Sequence, residues 1–197
     1  TDSKIIGTIK TNGILIGQVA PVGELFSGQS SVFYLEGDNW ENAICKTDDG
    51  IHLNWPRSFV STGWRATTIK NKRNNEYQKK VSEVEDYLDD ALSYFNQEGS
   101  FDLKMESLKG LFDGSKNLYV HADNYTEIID AIELLKKKRV KKVVLVGGNE
   151  ALMAKSIIKK NNVSLILNRI HRLPSKSGSA IDEPYVQPKQ LKDNDIL

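Results

Sequence analysis

Three short β-branched and aliphatic runs, Leu118-Tyr119-Val120, Val143-Val144-Leu145-Val146 and Leu165-Ile166-Leu167, recur about every 20 to 25 residues with a helical pattern filling each gap. Strands that close together cannot be hairpin partners, because the chain between them forms a helix and must cross over; the crossovers are right-handed and the strands parallel. From Tyr125 to Lys138 the apolar residues Ile128, Ile129, Ile132 and Leu135 fall at helical spacing, and Asn124 with Glu127 three residues later forms a capping box. From Glu150 to Lys160 a second helix is expected to bury Leu152, Met153, Ile157 and Ile158 after the stop-and-cap signal Gly147-Gly148-Asn149. This part of the chain is α/β.

Two further runs, 13–19 and 50–54, read as strands of the same kind. With 117–121, 142–146 and 163–167 they make about five consecutive parallel strands, short of the eight of a closed barrel, which takes about 250 residues. The 197 residues therefore read as one domain, a partial TIM-type (β/α) barrel truncated at both ends. Ser3 to Lys10 resembles the tail of a helix feeding a strand, and Lys189 to Leu197 a helix, a turn and the opening of another strand. Ser31-Val32-Phe33-Tyr34-Leu35 reads as an extended excursion. The stretch 57–75, rich in Ser, Thr, Arg and Asn, reads as a mobile loop or lid. A long helix is expected from Glu76 to Phe95, with Tyr77, Val81, Val84, Leu88, Leu92 and Phe95 on one stripe, and a short one from Leu103 to Phe112.

Charge excludes some partners. Lys plus Arg number 27 against 26 for Asp plus Glu, a net charge of +1, so no field draws in nucleic acid or an anionic membrane. No apolar run reaches the roughly 18 residues of a membrane span and the first residues lack a signal-peptide h-region, so the chain reads as soluble, with its compartment unspecified. The single cysteine, Cys45, excludes an internal disulfide and a thiolate zinc cage, and reads as a buried packing residue.

In parallel α/β folds the reactive groups gather at the carboxyl ends of the strands. His121 ends one strand, where its imidazole either faces a barrel mouth or packs beneath a helix N-terminus. His171 follows Asn168 just past another, on the same rim. His52 lies inside Ile51-His52-Leu53-Asn54 and reads as structural, which leaves Asn54 as the rim candidate from that strand. Gly147-Gly148-Asn149 is either a tight turn that caps a helix or an anion cradle, and Ser27-Gly28-Gln29-Ser30-Ser31 a turn or a ligand loop. There is no Walker loop, dinucleotide fingerprint, His-Glu-x-x-His or nucleophile elbow.

The order Gly13-Ile14-Leu15-Ile16-Gly17-Gln18-Val19-Ala20-Pro21, Ser27-Gly28-Gln29-Ser30-Ser31-Val32, a Trp-Glu helix, then Leu118-Tyr119-Val120-His121-Ala122-Asp123 and a further helix resembles the imidazolonepropionase-like branch of the amidohydrolase superfamily. The resemblance spans about Gly7 to Leu197. It implies a (β/α)₈ barrel that hydrolyses C–N bonds of cyclic or linear non-peptide amides with water activated on one or two divalent metals. The chain would hold about the third to seventh strands, with the eighth opening at Ile196. His121 would match the metal-binding histidine of the fifth strand; His171 has no counterpart in the family's pattern and is expected from its rim position to act in catalysis, with Gln29, Asn54, Asp123 and Asn168 lining the small-molecule amide substrate.

The metal, zinc by the resemblance, would belong to the intact parent, and the isolated fragment is expected to bind none, to be inactive and to self-associate through open sheet edges. The first strand's His-x-His pair and the aspartate after the eighth strand fall outside the chain. Within it, the sixth strand ends in Gly147-Gly148 where the family offers a histidine, and Leu53-Asn54-Trp55 stands where the fourth offers Lys or Glu. Those departures keep a second reading open, a degenerate amidohydrolase-like barrel that serves as a binding or scaffolding domain.

Overall fold

Alternating apolar residues on β-branched segments bury one face of a sheet, and the helices between them supply the cover. A computed structural model describes residues 4–37, 39–62, 70–96, 101–174 and 178–196. The chain runs α1 (Lys4–Thr11), β1 (Ile16–Val19), β2 (Phe26–Tyr34), α2 (Trp40–Ala43), β3 (Ile44–Asn54), β4 (Phe59–Thr62), β5 (Lys70–Arg73), α3 (Tyr77–Asn96) and α4 (Leu103–Asp113). It continues through β6 (Asn117–Ala122), α5 (Tyr125–Lys137), β7 (Val143–Gly147), α6 (Lys155–Lys160), β8 (Ser164–Leu167) and α7 (Glu183–Asp193).

Six strands form one sheet in the order β1-β2-β3-β6-β7-β8. The pairs β3–β6, β6–β7 and β7–β8 are parallel, and β1–β2 and β2–β3 antiparallel. One face carries Ile51 and Leu53 of β3, Leu118 and Val120 of β6, Leu145 of β7 and Leu165 of β8, all buried. Against it pack Val84 and Leu88 of α3, Leu111 of α4, Ile128, Ile132 and Leu135 of α5, Ile158 of α6 and Leu191 of α7. The fold is α/β with a mostly parallel sheet. No helix among the described residues is long and apolar enough to cross a membrane.

Several expectations need correction. Among the described residues the parallel strands are four rather than five, because the run at 13–19 contributes β1, an antiparallel edge strand whose backbone pairs with β2. Its Ile16 and Val19 are half or more exposed, at 50% and 64%, so apolar content there did not signal a buried position. The excursion at 31–35 is the second half of β2, and β3 starts at Ile44 rather than at residue 50 because β2 holds it from that point. Cys45 is exposed, not packed. Pairing of β3 with β6 begins only at Gly50, so the first residues of β3 have a neighbour on one side alone.

The stretch 57–75 is not simply a loop. β4 and β5 form a separate antiparallel pair, closed at its base by Asn74 N–H donating to Ser58 O (2.9 Å) and Asn74 Nδ2 to Arg57 O (2.8 Å); residues 63–69 lie outside the described ones. The helix expected from 150 to 160 is regular only from Lys155, since Ala151 N–H and Met153 N–H close i→i−3 turns on Gly148 O and Glu150 O, and Met153 is exposed. The opening of an eighth strand falls on residues that show a turn after α7, and Leu197 is outside the described residues. The capping pair is as expected: the Glu127 carboxylate accepts from Asn124 Nδ2 (2.8 Å) and from Asn124 N–H (3.5 Å).

Candidate functional site

The helix-free face of the sheet holds the polar side chains, because residues two apart on a strand share a face. On β3 these are His52 and Asn54, opposite in sense to Ile51 and Leu53; on β6 they are Asn117, Tyr119 and His121. Register places Asn54, His121, Val146 and Ile166 in one row across β3, β6, β7 and β8, with His52, Tyr119, Val144 and Ser164 in the row below. The carboxyl ends of the four parallel strands lie just above the first row. Trp55 N–H donates to His121 O (3.1 Å), so β3 and β6 stay joined up to that rim.

His121 is half-buried, and its Nε2 lies 2.9 Å from Nδ1 of His52. The two rings are 5.2 Å apart, tilted by 34°. His52 is only 6% exposed and stacks on Tyr119 at 4.8 Å with 15° between planes. Tyr119 is fixed in turn: its hydroxyl donates to Asp49, which also accepts from Asn117 Nδ2 (3.2 Å) and pairs with Lys46 Nζ (2.6 Å). Gly50 permits this packing, since a Cβ there would meet Asn117 O at 2.5 Å and the Tyr119 ring at 2.6 Å.

Burial sets the protonation of the site. It pushes His52 below the ordinary histidine range, repulsion from His121 adds to this, and Asp49 opposes it. Burial pushes His121 down as well, against the pull of Asp123. Burial also raises Asp49, but hydrogen bonds from Lys46, Tyr119 and Asn117 outweigh it and hold the carboxyl below its usual range. The site therefore presents two neutral imidazoles above an ionised carboxylate.

The other residues singled out from sequence are placed as follows. Asp123 and Asn168 converge on Gly147: a Cβ built on that glycine, whose φ is +105°, would lie 2.7 Å from Asp123 Oδ1 and 3.3 Å from Asn168 Nδ2. Asp123 Oδ1 also accepts from Asn149 N–H (3.4 Å). Gly147-Gly148 is a tight turn stitched to its neighbour strand, with Gly148 N–H donating to Ala122 O (2.9 Å), and its carbonyl side is held by Gln187 Nε2, 3.0 Å from both Gly148 O and Asn149 O. Asn54 is at the rim, but its Nδ2 is committed to the β1–β2 loop and the start of β2, where Gly23 O (3.0 Å), Glu24 O (2.6 Å) and Ser27 Oγ (2.8 Å) surround it.

Two of the expected residues are not brought to His121. Gln29 pairs with Ile51, on the helix-covered side, and its amide lies between Asp48 (2.8 Å) and Lys116 Nζ (3.2 Å), below the amino end of β6. His171 is exposed and lies edge-on to Tyr185 of α7 at 5.7 Å. The residue missed was His52. Its signal was available: if 50–54 and 117–121 are parallel neighbours, alternation puts His52, Tyr119 and His121 on one face.

A metal needs more donors than these. Zinc takes three or four N, O or S ligands, and among the described residues no group of three or more His, Cys, Asp or Glu side chains could hold an ion. The described residues do not by themselves fit a metal centre.

The sequence matches no protein-family model and no curated protein. Among solved structures, an amidohydrolase from Thermotoga maritima MSB8 superposes with a TM-score of 0.70 at 16% sequence identity, over 94% of this chain and 50% of that one. The chain thus spans half the length of that structure, and at this identity it is the fold that is shared: a mostly parallel α/β sheet of the kind found in an amidohydrolase.

Proposed function

We propose that the chain is a segment of a TIM-type barrel of the amidohydrolase superfamily, of the imidazolonepropionase-like branch, whose whole protein hydrolyses non-peptide C–N bonds in small amides with a divalent metal. The observation that supports this best is His121, a neutral imidazole at the carboxyl end of a parallel strand, on the face away from the helices and in contact with a second imidazole. In this reading His121 would be one ligand of a divalent ion, and the ion would supply Lewis-acid activation of water. The remaining ligands would have to come from outside the described residues. Asp123 and Asn168, both close to Gly147, would accept and donate hydrogen bonds to the substrate amide, with Asn54 lining it from β3 beside His121 and His171 at the outer rim.

A second reading, a non-catalytic barrel used for binding, is favoured by one observation: the end of β7 offers no polar side chain, and one placed at Gly147 would be strained.

Metal analysis of the full-length protein separates the two. At least one equivalent of a divalent ion is expected, and His121→Ala should lose it; metal content that is nil, or unaltered by the substitution, eliminates the hydrolase reading. The chain of 197 residues alone is expected to hold no stoichiometric metal and to turn over no amide. Self-association is expected of it too, because β1 and β8 are sheet edges with open backbone groups. Sedimentation velocity should show species larger than the 22.1 kDa monomer, and a strictly monomeric boundary at micromolar concentration would count against an open edge.

A further inference from the structure

His52 is a costly residue at its position. Its Nε2 is buried with no hydrogen-bond partner among the described residues, and an orphaned buried polar atom costs about 1–3 kcal/mol. An apolar side chain stacked on Tyr119 would carry no such cost. Packing alone therefore does not account for a histidine here. The one thing the imidazole does that an apolar side chain cannot is hold His121, through the 2.9 Å contact between its Nδ1 and His121 Nε2.

The chemistry of a neutral imidazole sets what that contact implies. Each ring has one N–H and one lone pair. With His121 Nε2 turned to His52, only Nδ1 of His121 is left to face a ligand or a proton. For Nδ1 to offer a lone pair, the ring's hydrogen must sit on Nε2 and be donated to His52 Nδ1. His52 then carries its own hydrogen on Nε2, the atom that is orphaned. Stacking on Tyr119, itself tied to Asp49, fixes the plane of His52 and so the direction from which it accepts.

We propose that His52 is a positioning residue: it accepts a hydrogen bond from His121 Nε2–H and so fixes His121 in the tautomer whose Nδ1 lone pair is free. The role is that of an outer hydrogen-bond partner that orients a functional imidazole, here filled from β3 by a second imidazole, since the β7 neighbour of His121 in the row is the apolar Val146. The inference rests on His121 being the functional imidazole, but its tautomer can be read in the metal-free protein, independently of turnover.

Two-bond ¹H–¹⁵N correlation spectra of the histidine rings in the ¹⁵N-labelled full-length protein, freed of metal with a chelator so that no ion itself fixes the ring, test it at neutral pH. His121 is expected with Nε2 protonated and Nδ1 bare. His52→Leu, of similar volume and apolar, should leave a mixture of the two His121 tautomers, whereas His52→Asn should restore the single one, since its Oδ1 can take the place of Nδ1 as acceptor. His121 protonated on Nδ1 in the wild type, or a His121 tautomer identical in the Leu variant, overturns the proposal. Should the Leu variant not fold, the wild-type spectrum and the Asn variant still decide. A fixed Nε2–H tautomer alongside metal content insensitive to His121→Ala would leave the role of His52 standing and remove the metal reading instead.

Discussion

Glu127→Ala is expected to lower the unfolding free energy by about 3 kcal/mol, because it strands several buried donors at once. Glu127 is 3% exposed, in the first turn of α5. Its Oε1 accepts from Ser58 N–H (2.7 Å), Ser58 Oγ–H (2.8 Å) and Asn124 Nδ2 (2.8 Å). Ser58 lies just beyond β3 and is itself buried, so water cannot replace the lost acceptor without opening the structure. The carboxylate thus ties the segment after β3 to the helix after β6, the two strands that carry His52 and His121. Glu127→Gln keeps one oxygen but turns an NH₂ group toward other donors, and should cost about half as much. Urea unfolding should show the midpoint lowered with the m-value unchanged. A loss under about 1 kcal/mol for the alanine variant would mean that water reaches Ser58 and that the link is weaker than its geometry.

What could be read from sequence divides along the kind of interaction that decides each element. α5, β6, β7 and β8 followed from local signals: the period of Ile128, Ile132 and Leu135, the Asn124–Glu127 cap, and β-branched runs bounded by turns. β1 failed because an apolar run reports how much a segment prefers a sheet, and not which strand it meets or in which direction. The exposed Cys45 failed for a related reason, since the length by which β3 overshoots β6 is a tertiary fact. The β4–β5 pair sets Phe59-Val60-Ser61-Thr62 against the polar Lys70–Arg73, with no alternation to mark either strand. At the site, His121 was legible from its strand-end position, while His52 needed a register between segments 69 positions apart. Gln29 was misplaced by resemblance of order alone. The register that pairs it with Ile51 sends its amide to Asp48 and Lys116 instead.

Gly147→Ala should lower stability by about 1–3 kcal/mol, the range for a non-glycine residue held in a sparsely populated backbone region. The φ of +105° at this position is one that L side chains rarely adopt, whatever the space around it. Space is also short, with Asp123 Oδ1 at 2.7 Å and Ala122 O at 3.2 Å from the added methyl. Asp123 can swing away, but the Ala122 carbonyl is held by Gly148 N–H (2.9 Å), so the turn must loosen or the strain must stay. The same geometry bears on an obvious attempt to repair the site. Gly147→His would place an imidazole beside β6 in sequence terms only, since its Cβ meets the same obstacles before the ring is placed at all. It should destabilise at least as much as alanine and gain no divalent ion over the wild-type protein. Thermal unfolding and metal analysis of both variants check this together: a histidine variant of wild-type stability that bound an extra equivalent of zinc would show that position 147 accepts a side chain without strain and can supply a ligand.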